Sequence, residues 1–185
     1  MARLPDVKRE DIAPDMQYAY DEIAGSRGAV RGPFAMLLHS PDVAARIAHA
    51  GAYIRFETTL EGAVRELAIL TVARHWDCQY EFTAHHPIAE REGVRPETIA
   101  AVRDRTAPAG LDEHEALVFT YVNELLAKKR VPQATFDAMR AWLGDRSLID
   151  LSATIGYYSM LACVLDACAV VPEADITPLL PDAGY

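Results

Sequence analysis

Positive charge is scarce in this chain: 18 Lys and Arg stand against 27 Asp and Glu, for a formal net charge of -9. A surface of that sign repels phosphate, so neither a nucleic acid nor an anionic membrane is an expected partner. It also sets a condition on chemistry, because an anionic substrate needs a local Arg or a helix N-terminus to attract it. Cysteine is scarce too. Cys78, Cys163 and Cys168 are odd in number and irregular in spacing, which argues against a disulfide framework and for a reducing, cytoplasmic setting. The first residues contain no apolar run, so no secretory signal is read there. There is no glycine-rich phosphate loop, no Gly-x-Ser-x-Gly turn, no His-Glu-x-x-His and no Cys-x-x-Cys, and neither a metal nor a cofactor is expected. Strand and hairpin signals are missing throughout.

What remains is a helical pattern. Apolar residues make up 51% of the chain, enough for a sizeable core. Residues 1–40, punctuated by Pro5, Pro14 and Pro33, read as a Pro-rich extension with one short helix from Pro14 to Ala24, stopped by Gly25. Residues 41–185 read as a helical domain. Pro41, with Ser40 as its cap, opens a helix to about Phe56. A second helix from about Leu60 to Arg74 is apolar nearly all round and should be buried. Asp77 caps a third, from Cys78 to Glu92, ended by Gly93. Pro96 to Arg103 is a short helix. Asp112 and Glu115 form an acidic capping box for a helix to Lys128. Pro132 to Gly144 and Arg146 to about Val170 complete an all-α chain of seven or eight helices. Leu151 to Val171 carries a single charge, Asp166. Its polar residues and the lack of basic flanks favour a core or interface helix over a membrane span.

Chemistry-bearing residues concentrate between Glu66 and His85. On one helix, Cys78, Glu81 and His85 fall within roughly 60° of one another. Glu81 and His85 are an i,i+4 pair, and a carboxylate bonded to an imidazole fixes its tautomer, which makes an acid–base unit. Cys78 sits at the helix start, where the backbone dipole stabilises a thiolate. Glu66, on the apolar helix, should be partly buried and hard to ionise unless paired. In one straight helix it would lie roughly 18 Å from Cys78, so it joins the group only if the chain breaks near Trp76 and Asp77.

This stretch resembles the carboxymuconolactone decarboxylase-like superfamily, which includes alkylhydroperoxidase D. The likeness covers about Ser40 to Ala107 and returns in the last helix. The alkylhydroperoxidase D branch has Glu, eleven residues, Cys-x-x-Cys, three residues and His; those places are held here by Glu66, Cys78, Glu81 and His85. Glu81 therefore stands where a second cysteine would, and a dithiol cycle needs two sulfurs. The decarboxylase branch has a Glu-x-x-x-His pair, which Glu81 and His85 match. The resemblance implies an alkylhydroperoxidase D-like helical bundle assembled as a homo-oligomer, a trimer or hexamer. It implies a small-molecule substrate handled in one of two ways. One is decarboxylation of a small carboxylated lactone or related acid, with Glu81 and His85 as the acid–base pair and Arg55 or Arg74 holding the carboxylate. The other is thiol-dependent peroxidase chemistry at Cys78. A binding oligomer without catalysis is the third reading.

Overall fold

Helices supply every regular element among residues 2–181, the residues that this computed structural model describes; the outer ends of the two expected segments, 1 and 182–185, lie outside them. The chain forms two compact units. One comprises the chain up to Thr58 together with Cys163–Val171; the other comprises Thr59–Ala162 together with the chain from Pro172 onward.

The first unit holds α1 (Gln17–Arg27), α2 (Pro33–Leu37) and α3 (Pro41–Ala52). Helix α1 runs through Gly25 and stops at Gly28, whose φ of 76° is the left-handed conformation that ends a helix. Gly25 was the expected stop, but a glycine ends a helix only where the chain turns left-handed. Helix α2 was not expected at all. It is too short to be stable by itself, and it forms because all five residues from Pro33 to Leu37 are buried. A π-helical turn, Tyr53–Glu57, replaces the expected end of α3.

The second unit is built on α4 (Gly62–His75), which packs against α5 (Gln79–Arg91), α6 (Pro96–Arg103) and α7 (Glu113–Lys128). Every residue from Glu66 to Ala73 is buried, as the all-round apolar pattern requires. The Asp112 capping box is present in both directions, with Asp112 Oδ1 accepting from Glu115 N at 2.9 Å and Glu115 Oε2 from Asp112 N at 3.0 Å. Helix α8 (Gln133–Ala167) is interrupted at Gly144, at φ 74° and ψ 170°, where one helix was expected to close and the next to begin. It is long and apolar enough to cross a membrane, yet 56% of its most apolar stretch is buried by the rest of the chain, with Leu148, Leu151, Ile155 and Leu161 inward. At the centre of α4, Leu70 is fully buried. Leu70→Ala should cost about 2–5 kcal/mol by the lost transfer energy and the cavity left behind, read from urea denaturation.

Candidate functional site

The site is made by the turn between α4 and α5. Helix α4 ends at His75; Trp76 stays near helical geometry, and Asp77 then takes φ 54°. Left-handed backbone is tolerated by Asp better than by most residues. Two arginines pin that aspartate: Arg105 Nη2 donates to both carboxylate oxygens at 2.9 Å, and Arg74 Nη1 bonds Oδ1. Cys78 N then returns to Ala73 O at 2.8 Å. The chain reverses, and α5 runs back along α4. Cys78 is therefore the N-cap of α5 rather than its first helical residue, and Asp77 sits one place before the cap.

In a helical hairpin, residues at comparable distances on either side of the turn can meet. Glu66 and His85 are such a pair: His85 Nδ1 lies 2.7 Å from Glu66 Oε2. Glu66 is 3% exposed and His85 9%. Burial alone pushes the Glu66 carboxyl up, but the hydrogen bond from His85, the charge of His85 and the neighbouring Arg65 outweigh it and hold the group below the usual carboxylate range. An ionised Glu66 can only accept, so His85 Nδ1 is the donor in this bond.

Two further side chains complete the surroundings. Arg65 Nε donates to the other carboxylate oxygen, Oε1, at 3.2 Å, and its Nη2 lies 3.9 Å from Glu92 Oε2. From α8, the Tyr158 ring meets the His85 imidazole edge to face at 5.0 Å and 87°. The result is a chain of groups, Arg65, Glu66 and His85, with an aromatic wall beside the imidazole. It can hold and transfer one proton in a site nearly closed to water.

The residue that meets His85 Nδ1 is Glu66, where the helical period alone points to Glu81. Glu81 lies in the first turn of α5, buried, on the face that Cys78 and His85 share. Cys78 is fully buried. Gln79, the next residue, binds the backbone of Leu180 at both ends: Nε2 donates to Leu180 O at 2.7 Å, and Oε1 accepts from Leu180 N at 2.8 Å. Arg55 belongs to the first unit, where its guanidinium lies 5.2 Å from the Phe56 ring centre. Arg74 is committed to Asp77 and to Arg103 O, which accepts from Nε at 2.7 Å. Among the described residues no group of three or more His, Cys, Asp or Glu could hold a metal ion. Tyr158 was missed because nothing in a linear sequence ties α8 to α5. Glu66 as the partner of His85 had a visible signal, their comparable spacing about the break, ten residues before Trp76 and eight after Asp77.

This helical hairpin defines a fold seen in solved structures. The alkylhydroperoxidase AhpD core of an uncharacterized peroxidase-related protein from Ralstonia eutropha JMP134 aligns with a TM-score of 0.76 at 19% identity, over 94% of this chain and 93% of that one. An uncharacterized peroxidase-related protein from Silicibacter sp. TM1040 aligns with a TM-score of 0.72 at 20% identity, over 95% and 93%. A cysteine-to-alanine variant of the debrominase Bmp8, in complex with 2,3,4-tribromopyrrole, aligns with a TM-score of 0.71 at 16% identity, over 91% and 90%. At these identities the likeness establishes the fold. No curated protein matches the chain. Residues 41–124, which contain the whole α4–α5 hairpin, match the Carboxymuconolactone decarboxylase family. The match to the carboxymuconolactone decarboxylase family thus lies in residues 41–124, and the likeness to the alkylhydroperoxidase AhpD core is one of fold.

Proposed function

We propose that the protein is a decarboxylase-like enzyme acting on a small carboxylated lactone or related acid, with His85 as the proton carrier and Glu66 as its fixed partner. The observation that carries this reading is the buried 2.7 Å bond between Glu66 and His85. Decarboxylation breaks a carbon–carbon bond, leaves its electron pair on the substrate carbon and releases CO2. The carbanion so formed needs a proton. The Nε2 position of a protonated His85 supplies it, Glu66 stabilises the imidazolium while it is charged, and water restores the proton afterwards. Arg65 adds to His85 in holding the Glu66 carboxyl below its usual range. Glu81, where a second cysteine would stand in the peroxidase pattern, favours this acid–base reading, and the family match at 41–124 supports it.

The thiol reading has one observation in its favour: Cys78 is the N-cap of α5, where backbone amides stabilise a thiolate. Its complete burial works against it, since a peroxide must reach the sulfur. The assay that separates the two is CO2 release from a panel of carboxylated lactones, run beside consumption of an organic hydroperoxide with a small thiol as reductant. CO2 release supports the proposal. Hydroperoxide turnover without CO2 release contradicts it.

The protein is further proposed to work as a soluble homo-oligomer, a trimer or hexamer, in a reducing compartment. Three free thiols suit such a compartment. On α8, Ile149 is 66% exposed, and Ala153 and Gly156 continue the same bare apolar stripe, the kind of surface that interfaces cover. Light scattering at micromolar concentration should give a multiple of the chain mass, and Ile149→Glu should lower it. A monomer in both proteins would remove the assembly from the account.

A further inference from the structure

A cavity lies on the side of α4 away from Glu66. It measures about 310 Å³ and is lined by Thr71, Arg74 and His75 of α4, Arg105 just after α6, and Phe119 and Asn123 of α7. Along α4, Thr71 and His75 point roughly 140° and 180° away from Glu66, and none of Glu66, Cys78, Glu81 or His85 lines the cavity. Its chemistry is unusual for a chain with a net charge of -9. Two guanidiniums and an imidazole line it, and one carboxylate, Asp77, answers both arginines. The nearby Asp104 is taken by Arg103, which bonds it bidentately at 2.8 and 2.9 Å.

Donors are left over. Arg74 spends Nε on Arg103 O and Nη1 on Asp77, and among the described residues nothing accepts from its Nη2. Arg105 bonds only through Nη2, to Asp77 and to Arg74 O, leaving Nε and Nη1 without an acceptor among the described residues. His75 makes an edge contact with Trp76 and has no hydrogen-bond partner among the described residues. Burial and then the charge of Arg105 lower the pKa of both His75 and Arg74. The cations therefore disfavour one another, and a bound anion would relieve that repulsion.

We propose that this cavity is a binding site for a small planar monocarboxylate, about one ring in size, separate from the Glu66–His85 centre. The charge decides the valence: two arginines less Asp77 leave one positive charge while His75 is neutral. The carboxylate fits the open edges of Arg74 and Arg105, since guanidinium donors match carboxylate geometry. The ring lies in the apolar part of the cavity formed by Phe119 and Val102. The volume sits at the lower end of small-molecule pockets, which excludes a large ligand.

Benzoate is the probe, and benzyl alcohol is its uncharged counterpart. Imidazole resonances are followed by NMR while each is titrated into the full-length protein, with calorimetry giving the affinity. Benzoate should bind saturably and shift His75, and benzyl alcohol should bind at least about tenfold more weakly, as expected when charge-assisted bonds are lost. Arg105→Gln, at a side chain 57% exposed, should weaken benzoate about tenfold or more, with an unchanged circular dichroism spectrum showing that the turn it helps to hold at Asp77 still folds. Glu66→Gln should leave it unchanged. The proposal is overturned if benzoate fails to saturate, if benzyl alcohol binds as well, if His85 shifts in place of His75, or if Arg105→Gln binds benzoate as tightly as the natural chain.

Discussion

His85→Ala should lower turnover by on the order of 10²-fold or more, the usual loss when a general acid is removed. Glu66→Gln should lower it too, because a neutral amide lacks the charge that stabilises the imidazolium and can present its NH2 to Nδ1 as readily as its oxygen. The diagnostic result is the double variant. If the two side chains act as one proton-transfer unit, as their 2.7 Å contact requires, then Glu66→Gln with His85→Ala should be no slower than His85→Ala alone. Side chains that act as a unit lose their effect together, whereas independent contributions multiply. Rates from a direct CO2 assay decide this, and multiplying effects would mean that Glu66 serves the reaction by another route.

The second large effect is on stability. Glu66 lies between Arg65 and His85 with its carboxylate buried. Glu66→Ala leaves both basic groups facing a void, and removing one partner of a buried ion pair costs about 3–5 kcal/mol. Glu66→Gln keeps the shape and should cost less. The pH dependence has a definite sign. The folded-state pKa of Glu66 is held below its ordinary value, so the unfolded chain binds more protons at this group in acid. Its contribution is fully present above the ordinary glutamate value of about 4.3 and is lost as pH falls through the lower folded value. Urea denaturation of the natural chain and of Glu66→Gln should show a gap that is constant near neutral pH and closes in acid. A gap that widens in acid would contradict the assignment of Glu66 as ionised.

Much of the scaffold is legible in the chain. The Asp112–Glu115 box, Gly93 after α5 and the apolar ring of α4 act within a few residues, and local rules capture them. Local rules fail where distant contacts decide. Helix α2 exists because Pro33 to Leu37 are buried together, a fact no five-residue window contains. The site divides the same way. Helical period places Cys78, Glu81 and His85 on one face of α5, and its N-cap one residue later, at Cys78, does not disturb that. The same period suggests Glu81 as the partner of His85, because a period counts only neighbours along one helix. The partner of Nδ1 comes from α4, and its arrival depends on the left-handed Asp77 that Arg74 and Arg105 hold. Tyr158 arrives from α8, still farther along the chain. The aspartate that turns the hairpin and the arginines that hold it also line or border the proposed carboxylate site, so the α4–α5 turn links both regions through Asp77.

Acid–base chemistry at His85 and thiol chemistry at Cys78 make opposite demands on one substitution. Cys78→Ser keeps the N-cap and nearly the volume while removing the nucleophilic sulfur. Steady-state turnover of Cys78→Ser, measured beside His85→Ala on the same substrate, is the most direct test. The account predicts that Cys78→Ser stays within about tenfold of the natural chain while His85→Ala falls by on the order of 10²-fold. Abolished turnover in Cys78→Ser, with substantial activity retained in His85→Ala, would contradict it.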